Sequence, residues 1–330
     1  MSTKEEVLAI LNRNSEDYIS GEEMAQMLNV SRASIWKAVK ALEDDGYIIE
    51  GITKKGYRLV STDILNQEVL EKLIDIPVYY YSEIDSTNTE AKRLINKGIK
   101  APFVVISELQ TGGRGRRGRT FVSEKGGTYY SLVVNNDNTF DTESVTTRAS
   151  LGTTDAIDSL GFDTQIKWVN DVYINGKKCV GILTEGVLSM EENRISEIII
   201  GIGVNFGTKN FPDELKDICT SLFPDGITPI SRAEFLARQI KCVINTLHEN
   251  DYIKRYRAKC FVIGLDLNVI RVDKTKRAKC LDVDDNAHLV VQYEDGQIEH
   301  LSSGEVTIRP CWENSLDYIY LHLELLCYRK

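Results

Sequence analysis

Eight consecutive residues, Gly112 to Arg119 (GGRGRRGR), hold four glycines and four arginines, and no packed interior can use them. Glycine lets the backbone take φ > 0 and approach a ligand closely. Arginine brings a permanent charge and a fork of donors matched to phosphate and carboxylate. The segment is therefore expected to be a loop that closes over a polyanion such as a nucleoside triphosphate. The plain alternative is a solvated basic loop that touches nothing. Gly113 to Thr120 also approximates the spacing of a phosphate-binding P-loop, with Arg119 in the lysine position. That motif must open a helix, whereas Gly126-Gly127 and a strand-like Tyr129–Val134 follow here, so the P-loop reading fails on context.

The chain has 330 residues, too many for one ordinary core, and two or three domains are expected. Its formal charge of −9 excludes a general nucleic-acid coat, so any DNA contact must be local. Seven scattered cysteines without a C-x-x-C pair imply reduced thiols and no zinc site. Four separated histidines do not make a histidine metal centre or triad, and no metal ligands are assigned. No apolar run of membrane-spanning length or signal peptide is seen, and a cytoplasmic, membrane-free protein is expected.

The first 62 residues read as helices followed by a hairpin. Thr3-Lys4-Glu5-Glu6 and Ser20-Gly21-Glu22-Glu23 fit capping boxes, and Ser31 can cap a third helix ending near Asp44. Ile35, Ala38, Val39 and Leu42 form the buried stripe of that helix. Strand-like Tyr47–Glu50 and Gly56–Val60 complete the plan of a winged helix-turn-helix. Arg32, Ser34, Lys37 and Lys40 would face DNA, and Lys54, Lys55 and Arg58 on the wing would grip phosphate. Trp36 is expected at the edge of the small core. A three-helix protein-interaction domain is the alternative.

Residues 63–262 alternate strand-like and helical stretches without a regular βαβ rhythm. Five segments stand out: Asp85-Ser86-Thr87-Asn88, Gln110 through Arg119, Lys167-Trp168-Val169-Asn170-Asp171, Lys178-Cys179-Val180-Gly181-Ile182-Leu183 and Gly201-Ile202-Gly203-Val204-Asn205. In this order they resemble the biotin protein ligases, specifically the two-function members that also repress a biotin operon. The resemblance spans residues 1 to about 310 and implies an α+β multidomain fold. Its parts are a winged helix-turn-helix (1–62), a mixed α/β ligase domain of the class II synthetase type (63–262) and an SH3-like β-barrel (263–310).

The activity implied is adenylation of biotin by ATP with Mg²⁺, then transfer to a lysine of the biotin carboxyl carrier protein of acetyl-CoA carboxylase. Ser86, Thr87, Asn88, Gln110, Arg114, Tyr129, Lys178 and Gly181 are the biotin-side residues by resemblance. Arg116, Arg119, Phe121, Asn170, Asp171, Asn205 and Arg309 are the ATP-side ones, with Arg116, Arg119 and Lys178 offsetting phosphate charge. For Lys178 a surface turn beside Lys177 is the alternative, for Lys167 a structural ion pair, for Ser86-Thr87 a helix cap, and for Asp171 a turn. Gly201 and Gly203 permit close approach or mark a bulge.

Phe121, Val122, Ser123 and Glu124 depart from the family's aromatic Trp then Ser-Pro, and Val169 replaces its commoner proline, which is expected to loosen a turn. By resemblance Glu305 and Arg309 are expected to face the nucleotide or the carrier, with a surface ion pair on the barrel as the alternative. The stretch 311–330 places Leu316, Tyr320, Leu323 and Cys327 on one helical face, with no function assigned. A homodimer on palindromic operator DNA, with biotinyl-AMP as corepressor, is the expected regulatory form. The rival readings are a biotin-sensing regulator with impaired ligase activity, a ligase with a vestigial DNA module, and a lipoate- or other acyl-adenylating ligase.

Overall fold

The computed structural model describes residues 2–14, 17–44, 47–61, 65–136, 142–189, 193–271, 274–302 and 307–310. Glu305 and the stretch 311–330 lie outside the described residues, as do the side chains of 307–310, Arg309 included.

The N-terminal module contains α1 (Thr3–Arg13), α2 (Gly21–Leu28), α3 (Arg32–Asp44), β1 (Ile48–Ile52) and β2 (Gly56–Ser61). Capping boxes open the first two helices, at Ser2 with Glu5 and at Ser20 with Glu23. The first begins one residue before the sequence reading put it, because Ser2, Glu5 is the pair at the required spacing. Ser31 Oγ accepts from Ser34 N at 3.1 Å and starts α3. Ile19 and Tyr57 exchange backbone hydrogen bonds at 2.9 and 2.8 Å, which ties the hairpin to the helices. Val7, Leu11, Met24, Ile35, Val39, Leu42 and Leu59 fill the core between them.

The next elements are α4 (Gln67–Leu73), β3 (Val78–Tyr81), α5 (Thr87–Asn96), β4 (Phe103–Ser107), β5 (Thr128–Asn135) and α6 (Val145–Asp158). After them come β6 (Gln165–Lys167), β7 (Asp171–Ile174), β8 (Lys177–Ser189), β9 (Arg194–Val204), α7 (Arg232–Leu247) and α8 (Tyr252–Lys259). Their strands form a seven-stranded sheet in the order β3-β4-β5-β9-β8-β7-β6, with only β3 and β4 parallel. Alternation along each strand assigns its two faces. Val104, Ile106, Tyr130, Leu132, Ile198, Ile200 and Ile202 join α6 and α7 in the large core. Phe103, Val105, Val133 and Ile199 on the other face pack on Ala91 and Leu94 of α5. Since α5 covers only one end of that second face, the rest of it is left for a site.

Strands β10 (Asp266–Ile270), β11 (Thr275–Val283), β12 (Leu289–Tyr293), β13 (Ile298–Leu301) and β14 (Thr307–Pro310) form an antiparallel sheet in the order β13-β12-β11-β10-β14. No β13–β14 pairing closes it among the described residues. Its apolar face shares a core with Trp168, Val169, Tyr252 and Tyr256. The Trp168 indole N–H donates to Ala287 O at 3.0 Å across this junction. The Val169 carbonyl accepts from Ser150 Oγ at 3.1 Å and from Tyr256 Oη at 3.2 Å.

Candidate functional site

Four strands contribute the floor of the site, β5, β9, β8 and β7. Register places Tyr129 beside Gly203, Gly203 beside Gly181, and Gly181 beside Asp171. The next row on the same face is Ser131, Gly201 and Leu183. The glycines are required by what lies over them. A Cβ on Gly201 would stand 2.0 Å from Asn88 Oδ1, and one on Gly203 would stand 2.5 Å from the Phe121 ring. One on Gly181 would meet the same ring at 2.8 Å. Close side-chain approach, and not a bulge, explains Gly201 and Gly203.

One wall is the start of α5. Ser86 is the N-cap residue, yet its hydroxyl makes no capping bond, so capping does not account for it. Thr87 N and Oγ1 both donate to Gln110 Oε1, at 2.9 and 3.2 Å. Gln110 Nε2 donates in turn to Ser123 Oγ at 2.8 Å. Gln110 thus ties the helix start to the far end of the arginine loop. Asn88 Nδ2 donates to Glu185 Oε2 at 2.9 Å, and Asn88 Oδ1 lies 2.5 Å from Ser131 Oγ. Ser86, Thr87 and Asn88 are all buried, so their positions are set by packing before any ligand enters.

The opposite wall carries the charges. Lys178 Nζ donates to Asp171 Oδ1 at 2.6 Å, and Arg116 Nη1 approaches Asn170 Oδ1 at 3.5 Å. Asn170 is fixed by its own Nδ2, which donates to Ile182 O at 2.6 Å. Burial lowers the pKa of Arg116 from its ordinary value, with Asp171 acting in the opposite direction. Among the described residues, the cavity wall holds five cations, Arg114, Arg116, Arg119, Lys167 and Lys178, and one carboxylate, Asp171. In a chain of net charge −9, this is a site for a multiply charged anion.

The loop itself is lightly held. Gly115 N donates to Arg119 O at 2.7 Å and Phe121 N to Gly113 O at 2.9 Å. Arg114 reaches Glu185 at 3.5 Å, and Arg117 Nη1 lies 3.5 Å from Ile270 O.

Twelve residues expected at the site line this one cavity: Ser86, Thr87, Asn88, Gln110, Arg114, Arg116, Arg119, Phe121, Asn170, Asp171, Lys178 and Gly181. Three do not. Tyr129 is fully buried, donates its hydroxyl to Glu124 O at 2.5 Å and packs edge-on against Phe121, with ring centroids 6.3 Å apart. It supports the wall from behind, and burial raises its pKa above the ordinary range. Asn205 is buried past the end of β9, its N–H donating to Cys179 O and its carbonyl accepting from Leu222 N, each at 2.8 Å. Arg309 is placed only by its backbone pairing with Asn268.

Sequence reasoning left out Glu185. It lies on β8 with Gly181 and Leu183, at the period of two that defines one strand face. Lys92 Nζ reaches it at 2.7 Å, beside Asn88 and Arg114. Burial raises the Glu185 pKa, but Lys92, Asn88 and Arg114 outweigh this and hold the carboxyl below its ordinary range. Lys167, read as a structural ion-pair partner, lines the cavity together with Trp168.

In the N-terminal module, Arg32, Lys37, Lys40, Lys54 and Lys55 are exposed. Two residues assigned toward DNA are engaged elsewhere. Ser34 Oγ pairs with Ser31 Oγ at 2.8 Å, and Arg58 Nη2 pairs with Glu50 at 2.7 Å while its guanidinium stacks on Tyr18. Trp36, expected at the edge of the core, is instead 54% exposed. The module touches the ligase domain through Glu234, which receives Lys4 Nζ at 3.2 Å and Tyr47 Oη at 3.4 Å. Among the described residues no helix is long and apolar enough to cross a membrane.

Residues 80–205 match the biotin/lipoate A/B protein ligase family, and residues 3–58 match an HTH domain. A bifunctional ligase/repressor from Bacillus subtilis is 30% identical over 324 residues, covering 92% of this chain and 98% of that protein. The bifunctional ligase/repressor of Escherichia coli is 26% identical, covering 89% and 94%. Among solved structures, a biotin protein ligase from Aquifex aeolicus in complex with biotin and ATP is similar, with a TM-score of 0.62 and 26% identity. That match covers 71% of this chain and 99% of the Aquifex chain.

Proposed function

Because this chain belongs to the biotin/lipoate A/B protein ligase family, in the branch whose members also carry an N-terminal helix-turn-helix, we propose that it activates biotin with ATP, biotinylates a carrier protein and represses transcription. The observation that carries this reading is the cavity wall of five cations and one carboxylate, set over a glycine floor next to buried Ser86, Thr87 and Asn88.

Biotin is a small, mostly neutral bicycle with one carboxylate. Gly181, Gly201 and Gly203 let Asn88 and Phe121 lie close over the sheet, and the Ser86 hydroxyl and the Thr87, Asn88 and Gln110 network supply polar contacts for the ureido end of biotin. Adenylation brings the biotin carboxylate against the α-phosphate of ATP. A carboxylate oxygen bonds to phosphorus and pyrophosphate leaves, giving biotinyl-5′-AMP. Both reactants are anionic, so cations must offset their repulsion and the charge gathering on the transferred phosphoryl group. Arg116, Arg119 and Lys178 fill that role, with Asp171 orienting Lys178 and Asn170 orienting Arg116. In the second step a carrier lysine amine attacks the biotinyl carbonyl and AMP leaves.

Among the described residues Asp171 is the single carboxylate of the wall and is already paired with Lys178, which does not make a resident metal cage. Mg²⁺ therefore enters as part of the nucleotide substrate, screening its phosphates.

The five C-terminal strands are inferred to complete an SH3-like barrel, the central domain to be of the class II synthetase type, and Arg309 to lie toward the nucleotide or the carrier. The carrier is the biotin carboxyl carrier domain of a carboxylase. On the regulatory side, biotinyl-AMP is the corepressor that favours a homodimer, placing two winged modules on a palindromic operator. Pyrophosphate release tests the first step. It is expected to require biotin and ATP together and to be unaffected by lipoate. Release supported by lipoate would favour the acyl-ligase rival. Tight biotin binding with no release would favour the pure regulator.

A further inference from the structure

Helix α3 has two opposed stripes. Ile35, Ala38, Val39 and Leu42 are buried in the module core. Ala33, Trp36, Lys37 and Lys40, at the i, i+3, i+4, i+7 spacing of one helical face, are all exposed. Trp36 is 54% exposed, and its indole N–H bonds to nothing among the described residues. A tryptophan held in water on a working face is the composition of an interface.

The charge of that face specifies the partner. From Arg32 to Ala41 the helix has three cations and no acidic residue; the first carboxylate is Glu43, which pairs with Lys40 at 2.5 Å. Lys54 and Lys55 are exposed on the wing. Lys37 and Lys40 offer point charges to phosphate, exposed Arg32 at the helix start has the fork that reads guanine, and Ser34 is committed to Ser31. Ala33 adds no bulk beside Trp36, which leaves the indole as the largest apolar group able to reach a base edge.

We propose that Trp36 reads sequence in duplex DNA by packing its indole against thymine methyl groups in the major groove, between phosphate contacts made by Lys37 and Lys40. The proposal rests on the DNA-binding reading of residues 2–61 and adds to it one residue and one base feature that contribute specificity. A thymine methyl is the one apolar group that the major groove presents.

The test begins with a duplex enriched from a random pool by the full-length protein with biotin and Mg·ATP. Wild type, Trp36→Ala, Trp36→Phe and Lys37→Ala are then titrated with that duplex, with a scrambled duplex and with a version carrying uracil for thymine, across a salt series. Trp36→Ala is expected to lose roughly 10- to 100-fold on the enriched duplex and less than about twofold on the scrambled one, with an unchanged salt slope. Trp36→Phe should keep most of the affinity, and Lys37→Ala should weaken both duplexes and flatten the slope. Uracil should weaken wild type and leave Trp36→Ala unaffected. Pyrophosphate release and melting temperature serve as folding controls and should not move.

Equal losses of Trp36→Ala on both duplexes, or equal uracil sensitivity in both proteins, would overturn the proposal. So would intact DNA binding with an altered dimer mass, which would make Trp36 a protein contact. Failure of wild type to enrich any duplex would instead remove the DNA-binding reading, and this inference with it.

Discussion

The two halves of the cavity are built in opposite ways. The floor belongs to the seven-stranded sheet, where Gly181, Gly201 and Gly203 are stitched into β8 and β9 and their empty Cβ positions are occupied by Asn88 and Phe121. The arginine loop has a few turn bonds and exposed side chains at Arg114, Arg117 and Arg119. Shape is supplied by the sheet, and three of the five wall cations by the lightly bonded loop. A site that must first admit two anions and then shield a mixed anhydride from water needs both.

The comparison breaks first at Lys178, which stands on the rigid side yet carries charge. Lys178→Ala is expected to lower biotin-dependent pyrophosphate release by roughly 100- to 1,000-fold, the loss typical of one preorganised donor to a developing anion. A drop of less than about threefold would return Lys178 to the surface-turn reading. On the floor, Gly201→Ala puts a methyl 2.0 Å from Asn88 Oδ1. Displacing Asn88 should weaken biotin, measured calorimetrically, by roughly 10- to 100-fold while the protein still melts cooperatively.

Glu185 joins the halves, since it holds Asn88 and Lys92 of α5 and Arg114 of the loop. Glu185→Gln is expected to raise KM for biotin about fivefold with kcat unchanged, because it weakens charge-assisted bonds that position groups and do not react. An equal fall in kcat would place Glu185 closer to the chemistry. The smallest effect belongs to Arg117, which is exposed and, among the described residues, hydrogen-bonds only a backbone carbonyl at 3.5 Å. Arg117→Ala should change pyrophosphate release by less than about twofold, and a larger loss would mean that the loop closes further than its present contacts indicate.

Much of this was legible in the chain. Helical spacing and capping residues gave the N-terminal module, because local rules decide short helices. The arginine loop and the Lys167–Asp171 segment pointed to the anionic wall, because a run of cations beside glycines has few other uses. What was missed depended on pairing between distant strands. Tyr129 alternates onto the site face, but only the three-dimensional position of Phe121 shows that it is covered. Glu185 was visible as the third residue of a period-two series from Gly181, yet its three partners come from α5 and the loop. Asn205 would follow Gly201 and Gly203 on one strand face, but β9 ends at Val204 and the Asn205 backbone is tied to Cys179 and Leu222. Trp36 was misplaced because apolarity was read as burial, a rule that surfaces do not obey.

The most direct test of the account is transfer itself. Purified protein, biotin, Mg·ATP and a biotin carrier domain are incubated, and the carrier is followed by intact mass and by mapping of the modified lysine. The account predicts a gain of one biotinyl group on one lysine, dependent on ATP and abolished by Arg116→Ala. A carrier left unmodified by wild type, with biotin still bound, would contradict it.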